Sequence, residues 1–175
     1  GALTPVAKIK PVNIGGVVVS NATLHNEDEI VRKDIRISDT VKIERAGDVI
    51  PHVLFVDLKK RKNKSKKFIF PNKCPSCGSV VIKEFNESTK KYDAVKRCSS
   101  EGFECEKISI ERIKHFVSKE ALNIDGLGKK VVENFWNLKL IRLPQDIFKL
   151  DFKKIENIDG WGKLSVSNLK YSIEK

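Results

Sequence analysis

Cys74-Pro75-Ser76-Cys77-Gly78 divides the sequence into three stretches of different character. Two cysteines separated by two residues can occupy adjacent corners of a tetrahedron. After twenty intervening residues Cys98 opens a second pair, which Cys105 completes after a gap of six. Four thiolates in a segment with little core of its own are expected to fold it around a structural zinc ion, because the metal supplies free energy that apolar burial cannot. Four sulfur donors leave no coordination position for water, so hydrolytic metal chemistry is not expected. Two disulfides, or four unrelated buried thiols, are the alternatives. A basic chain without a signal-peptide pattern is expected to be cytoplasmic, where thiols stay reduced, which favours the metal. The zinc module is assigned residues 71–107.

Toward the amino terminus the pattern is that of strands. Gly15-Gly16 precedes Val17-Val18-Val19, Thr40 to Arg45 alternates apolar with polar, and Val49 to Val56 is rich in β-formers. Asn26 followed by Glu27, Asp28 and Glu29 predicts a short capped helix between them. Short strands interrupted by one helix predict a small β-barrel of the OB-fold kind over residues 1–70. From Lys59 to Lys67 seven of nine residues are basic and none is apolar, so this stretch is expected to be a solvated loop or tail, with phosphate contact as the alternative.

Toward the carboxyl terminus the period becomes helical. Ile110, Ile113, Phe116 and Val117 share one face, Val131, Val132, Phe135 and Trp136 another, and Pro144 suits the first turn of a further short helix. An all-α domain over residues 108–175 follows. Within it Asn123-Ile124-Asp125-Gly126-Leu127-Gly128-Lys129 recurs thirty-four residues later as Asn157-Ile158-Asp159-Gly160-Trp161-Gly162-Lys163. The repeated element is a Gly-x-Gly turn opening a helix, not the helix pair of a solenoid repeat. Two glycines permit a tight turn that projects backbone N–H groups into a helix N-terminus, where the dipole favours a phosphate. Gly126, Gly128, Gly160 and Gly162 are therefore candidate phosphate contacts, with Lys129 and Lys163 either adding charge to them or standing as solvated helix-start lysines. Leu127 and Trp161 are expected to plug the turns into the core, DNA contact being the alternative for Trp161. The two copies resemble tandem helix-hairpin-helix motifs.

A formal charge of +11 asks for a polyanionic partner, since each neutralised phosphate releases counterions. The excess lies at the ends: residues 1–70 hold 14 basic and 8 acidic groups, residues 71–107 hold 7 and 6, and residues 108–175 hold 13 and 9. Thiolate coordination would turn the middle segment slightly negative, so nucleic-acid contacts are expected outside it. A membrane partner is disfavoured by the lack of a long apolar run or a strongly basic amphipathic helix.

Gly1-Ala2-Leu3-Thr4-Pro5-Val6-Ala7, Ser20-Asn21-Ala22-Thr23-Leu24-His25-Asn26 and Arg45-Ala46-Gly47-Asp48-Val49-Ile50-Pro51 resemble OB-domain signatures of bacterial NAD-dependent DNA ligases. The resemblance continues through the cysteines, through His115-Phe116-Val117-Ser118 and through both hairpins. It implies a multi-domain α+β chain with OB-fold, four-cysteine zinc finger and partial helix-hairpin-helix domain. It also implies DNA contact from Arg45, Val49 and Ile50 near the minor groove, with Thr23 on the same surface, and phosphate contact at the four turn glycines. Spacing alone reads Val49 and Ile50 as barrel core and Arg45 as a strand-edge charge. His25 lacks a nucleophile and an orienting acid, so a structural role is expected, and Asp48 reads as a turn residue.

In that family an adenylation domain carries the nucleotide chemistry and would bind most of the NAD and Mg; it is not recognisable here. Two hairpins stand where the family usually has four. The expectation is a fragment that cannot seal nicks alone but grips nicked double-stranded DNA, as a monomer, beside the adenylation domain of the same chain, in bacterial DNA replication and repair. The runner-up is an independent zinc and helix-hairpin-helix module of a repair nuclease or topoisomerase.

Overall fold

Gly15 and Gly16 make the first turn of the chain with φ of +58° and +82°, a pair of left-handed conformations that a two-residue hairpin matched to strand twist requires. They join β1 (Val6–Ile14) to β2 (Val17–Thr23), with Ile14 paired to Val17 and Val6 to Thr23. The computed structural model describes residues 1–45 and 50–175. The chain divides into two compact units, Gly1–Ser99 and Ser100–Lys175.

In the first unit Asn26 caps α1 (Glu27–Arg32), its side chain accepting the Glu29 N–H at 2.9 Å, as the sequence predicts. β3 (Val41–Glu44) and β4 (His52–Val56) are antiparallel and complete a sheet of order β1-β2-β4-β3. β4 joins β2 through the parallel pairing of Thr23 with His52. Val19, Ala22, Ile30, Val53 and Val56 are buried in this unit. Of the β-rich run after Val49, the strand occupies His52–Val56, and Ala46, Gly47, Asp48 and Val49 lie outside the described residues.

The cysteine segment contributes a second hairpin, β5 (Val81–Asn86) with β6 (Lys91–Cys98), in which Phe85 faces Tyr92. The acids of α1 hold it: Lys96 Nζ lies 2.9 Å from Glu27 Oε2 and Lys83 Nζ 2.7 Å from Asp28 Oδ1. The chain start is tied to the same hairpin, Cys98 N donating to Gly1 O and Leu3 N to Lys96 O, each at 2.9 Å.

The basic run is not wholly solvated, which corrects the sequence reading. Leu58–Lys60 forms one 3-10 turn, and the Arg61 side chain, only 13% exposed, turns inward. Its guanidinium reaches Asp39 through Nε at 3.0 Å and Nη2 at 2.8 Å, and Asp34 through Nη1 at 2.6 Å. Asp39 also accepts the Arg36 N–H at 2.8 Å and is almost fully buried. The end of the run is pinned as well, Ile37 N donating to Lys66 O. A planar fork matching a carboxylate with two parallel bonds explains why an arginine, among so many lysines, makes this contact.

The second unit is helical: α2 (Glu106–Phe116), α3 (Lys129–Asn137), a 3-10 segment Pro144–Lys149, α4 (Phe152–Glu156) and α5 (Lys163–Glu174). Ile110, Ile113, Val132, Phe135 and Trp136 are buried together, so both apolar faces read from the sequence meet in one core, with Val131 and Phe116 partly buried against it. Among the described residues no helix is long and apolar enough to cross a membrane.

Arg36, and then Arg61, hold the Asp34 carboxyl down at about pH 2, and Arg32 with Lys33 does the same for Glu29. A carboxyl whose pKa falls on folding stabilises the fold above its unfolded value of about 4, and that contribution is lost as pH falls toward the folded value. The melting temperature is therefore expected to drop between about pH 4 and about pH 2, and to drop less in Arg61→Ala, which starts from a lower value at neutral pH. Calorimetry across that range checks it, and equal slopes for the two proteins would remove Arg61 from the network.

Candidate metal centre and nucleic-acid interface

The Cys74 knuckle is shaped by the backbone before any metal is considered. Gly78, at φ +78°, lets its N–H reach Cys74 O at 2.9 Å, while Cys74 N donates to Ser79 O at 2.7 Å. Cys98 ends β6, and Cys105 stands immediately before α2 as its N-cap. The four Sγ atoms of Cys74, Cys77, Cys98 and Cys105 lie within 4.8 Å of one another, and none is in a disulfide. Zn–S bonds of about 2.3 Å place tetrahedral sulfurs about 3.8 Å apart, so this donor set fits a zinc ion after a small contraction. Cys77 Sγ and Cys98 Sγ are already 3.5 Å apart, and Ser79 Oγ lies 3.3 Å from Cys77 Sγ. The disulfide alternative is not observed; the metal-site geometry is.

Both glycine turns take the shape that the repeat predicts. Gly126 and Gly160 have φ of +92° and +83°, and Gly128 and Gly162 are the N-caps of α3 and α5. A Cβ on Gly126 would touch the Leu169 side chain at 3.5 Å, whereas one on Gly160 would meet nothing within 4 Å, so conformation, not space, selects glycine at the second site. Leu127 is buried, and Trp161 packs against the core with its ring 5.4 Å from that of Phe135. All four glycines, Lys129 and Lys163 are exposed. Neither helix has an acidic residue in its first turn or a side-chain cap, in contrast to α1 with its three acids. The first N–H groups of α3 and α5 are thus left to solvent or to an anion.

On the sheet, Thr23, Arg45 and Ile50 converge at one end. Thr23 N donates to Pro51 O at 2.7 Å, Thr23 pairs with His52, and His52 pairs with Glu44, the residue before Arg45. Ile50 is 70% exposed, which overturns the reading of it as barrel core. Val49, the remaining candidate here, lies outside the described residues. His52 and Glu44 were missed by sequence reasoning because their proximity to Thr23 is set by strand pairing, which leaves no local signal.

Residues 1–65 match the family described as the NAD-dependent DNA ligase OB-fold domain. Over 175 residues the chain is 80% identical to a DNA ligase of Pelagibacter ubique, covering all of this chain and 26% of that protein. It is 53% identical to a DNA ligase of Xanthobacter autotrophicus, covering 97% of this chain and 24% of the relative. It is 50% identical to one of Sulfurihydrogenibium azorense, covering 100% and 24%. The chain thus spans about a quarter of the length of the curated relatives it matches. These matches favour a ligase over the nuclease or topoisomerase alternative.

Chelating the metal is expected to raise hydrogen exchange at the amides of β5 and β6 while β1 and β2 keep their protection, since thiolate coordination substitutes for core in that segment. Exchange in β5 and β6 that ignores the chelator would rule out a structural ion.

Proposed function

We propose that this chain, which belongs with the NAD-dependent DNA ligases, is the part of such an enzyme that grips duplex DNA without reading its sequence. The observation that carries the reading is the matched pair of glycine turns, each ending in an exposed helix N-terminus free of acidic residues. Backbone N–H groups recognise phosphate and not base edges, so the grip is indifferent to sequence and weakens with salt. The Gly126–Lys129 and Gly160–Lys163 turns are the hairpins of two tandem helix-hairpin-helix motifs in this reading, each taking a backbone phosphate.

At the sheet end, Thr23 and Arg45 would contact the backbone, while exposed Ile50, with Val49, would lie against the sugars of the minor groove. Residues 1–70 form the OB-fold domain, 71–107 the zinc finger and 108–175 the start of the hairpin domain. The thiolates of Cys74, Cys77, Cys98 and Cys105 would hold zinc in a structural role. NAD and Mg would serve an adenylation domain outside these residues, and nick sealing in replication and repair would belong to the longer cytoplasmic enzyme. The chain itself would act as a monomer.

Fluorescence anisotropy of this chain with nicked duplex, intact duplex and single strand at two salt concentrations tests the reading. Salt-sensitive binding that favours duplex is expected, and a lack of duplex binding at low salt would overturn it. The double variant Gly126→Val/Gly160→Val, with helical content checked by circular dichroism, is expected to bind more weakly to every duplex sequence. Its logarithmic salt slope should be shallower by about two, one phosphate per hairpin. An unchanged slope would remove the hairpins from the interface.

A further inference from the structure

The backbone turns sharply where β2 hands over to α1. His25, at φ +59°, occupies the left-handed region that non-glycine residues seldom adopt, and Asn26 N donates across it to Leu24 O at 2.7 Å. The turn is fixed from both sides: His25 N donates to Thr23 Oγ1 at 3.0 Å, and Leu24 N donates to Pro5 O at 3.0 Å. The consequence is a pair of imidazoles, His25 and His52, with ring centroids 5.7 Å apart, at the same sheet end as Thr23, Arg45 and Ile50. His52 Nε2 lies 3.8 Å from Glu44 Oε2, and its side chain is half shielded, while His25 is exposed.

The neighbouring charges divide into those already matched and those that change with pH. On α1, Glu27 is paired with Lys96, Asp28 with Lys83, and Glu29 with Arg32 and Lys33. Lys33 also donates to Val53 O on β4. On β3, Glu44 faces His52, and Arg45, next in the chain, stays positive at every relevant pH. Imidazoles are the side chains that gain a proton between pH 8 and 5. A proton on His52 is balanced by Glu44; one on His25 has no such carboxylate among the ion pairs described. Protonation of both would therefore turn the His25–His52–Glu44 group from net negative to net positive, beside the residues proposed to touch the DNA backbone.

We propose that His25 and His52 form a proton-dependent contact to a backbone phosphate of duplex DNA, an inference that rests on the duplex-binding reading above. Glu44 holds His52 in place, and the left-handed turn holds His25 against it. Loss of these protons above neutral pH leaves Glu44 and Arg45 to offset each other, so this end of the sheet loses the positive charge that attracts phosphate and the grip loosens without any change of fold.

The chain contains three histidines, His25, His52 and His115, which makes the test separable. Affinity for nicked duplex is measured by anisotropy at about pH 5.5 and about pH 8, at matched ionic strength, for the unaltered chain, His25→Gln, His52→Gln, the double variant and His115→Ala. The melting temperature of each variant at the higher pH establishes that it is folded. The unaltered chain is expected to bind about fivefold more tightly at the lower pH, with a salt slope steeper by about one. His115→Ala should keep this gain, His25→Gln should lose most of it, and the double variant should lose all of it. A double variant that keeps the full gain overturns this proposal while leaving the duplex-binding reading intact. Absence of duplex binding at both pH values would overturn the duplex-binding reading, and this one with it.

Discussion

The first unit leaves many of its large apolar side chains exposed and buries few completely, and its architecture follows from that. Among the largest fully buried side chains of the described residues, only Val53 belongs to residues 1–99, while Phe135, Ile113, Ile141, Ile147, Ile155 and Leu169 belong to the second unit. A sheet that cannot rely on a packed centre must be held by directional contacts. Arg61 supplies one set by binding Asp39 and Asp34 together, closing the loop between α1 and β3 against the residues after β4. Such networks are weak evidence of net stability, because removing ions from water is costly, but they fix geometry well. Cys74, Cys77 and Cys98 lie in this unit too. Metal coordination would add the largest directional contribution in a place where β5 and β6 bury few side chains.

The second unit solves the opposite problem. Its core is dense, and its candidate binding groups are backbone atoms at helix ends, which have no side chain to anchor them. Leu127 and Trp161, placed between the two glycines of each turn, connect those ends to the core. Each turn is closed in the same way, Leu127 N toward Ile124 O at 3.4 Å and Trp161 N toward Ile158 O at 3.0 Å. Burying the middle residue and exposing both glycines presents N–H groups on a rigid base, which lowers the ordering cost of binding an anion there.

Local signals made much of this legible in the sequence. Gly15-Gly16, the Asn26 cap, the cysteine spacing and the thirty-four-residue repeat each specify a structure within a few residues, and each folds as expected. Arg61 was not legible, since its partners lie 22 and 27 residues away and a run of like charge looks the same whether or not one member turns inward. The exposure of Ile50 and the meeting of His25, His52 and Glu44 were hidden for a related reason. Period-two alternation says which residues share a face, but not which strands will be neighbours, and the pairing of β2 with β4 is what brings these residues together.

Net charge is a poor guide to where a polyanion would sit on this chain, and the placement of acids explains why. Lys33, Lys83, Lys96 and Lys114 are each committed to ion pairs within their own unit, so these charges are already matched by the fold. The three acids of α1 serve that purpose while also complementing the helix dipole. At α3 and α5 the first turns carry no acid at all, and a lysine opens each helix. The same chemistry is thus spent inwardly at one helix and left outward at two others. What sets α3 and α5 apart from α1 is therefore a first turn without carboxylates, even though Asp125 and Asp159 stand just ahead of the glycines.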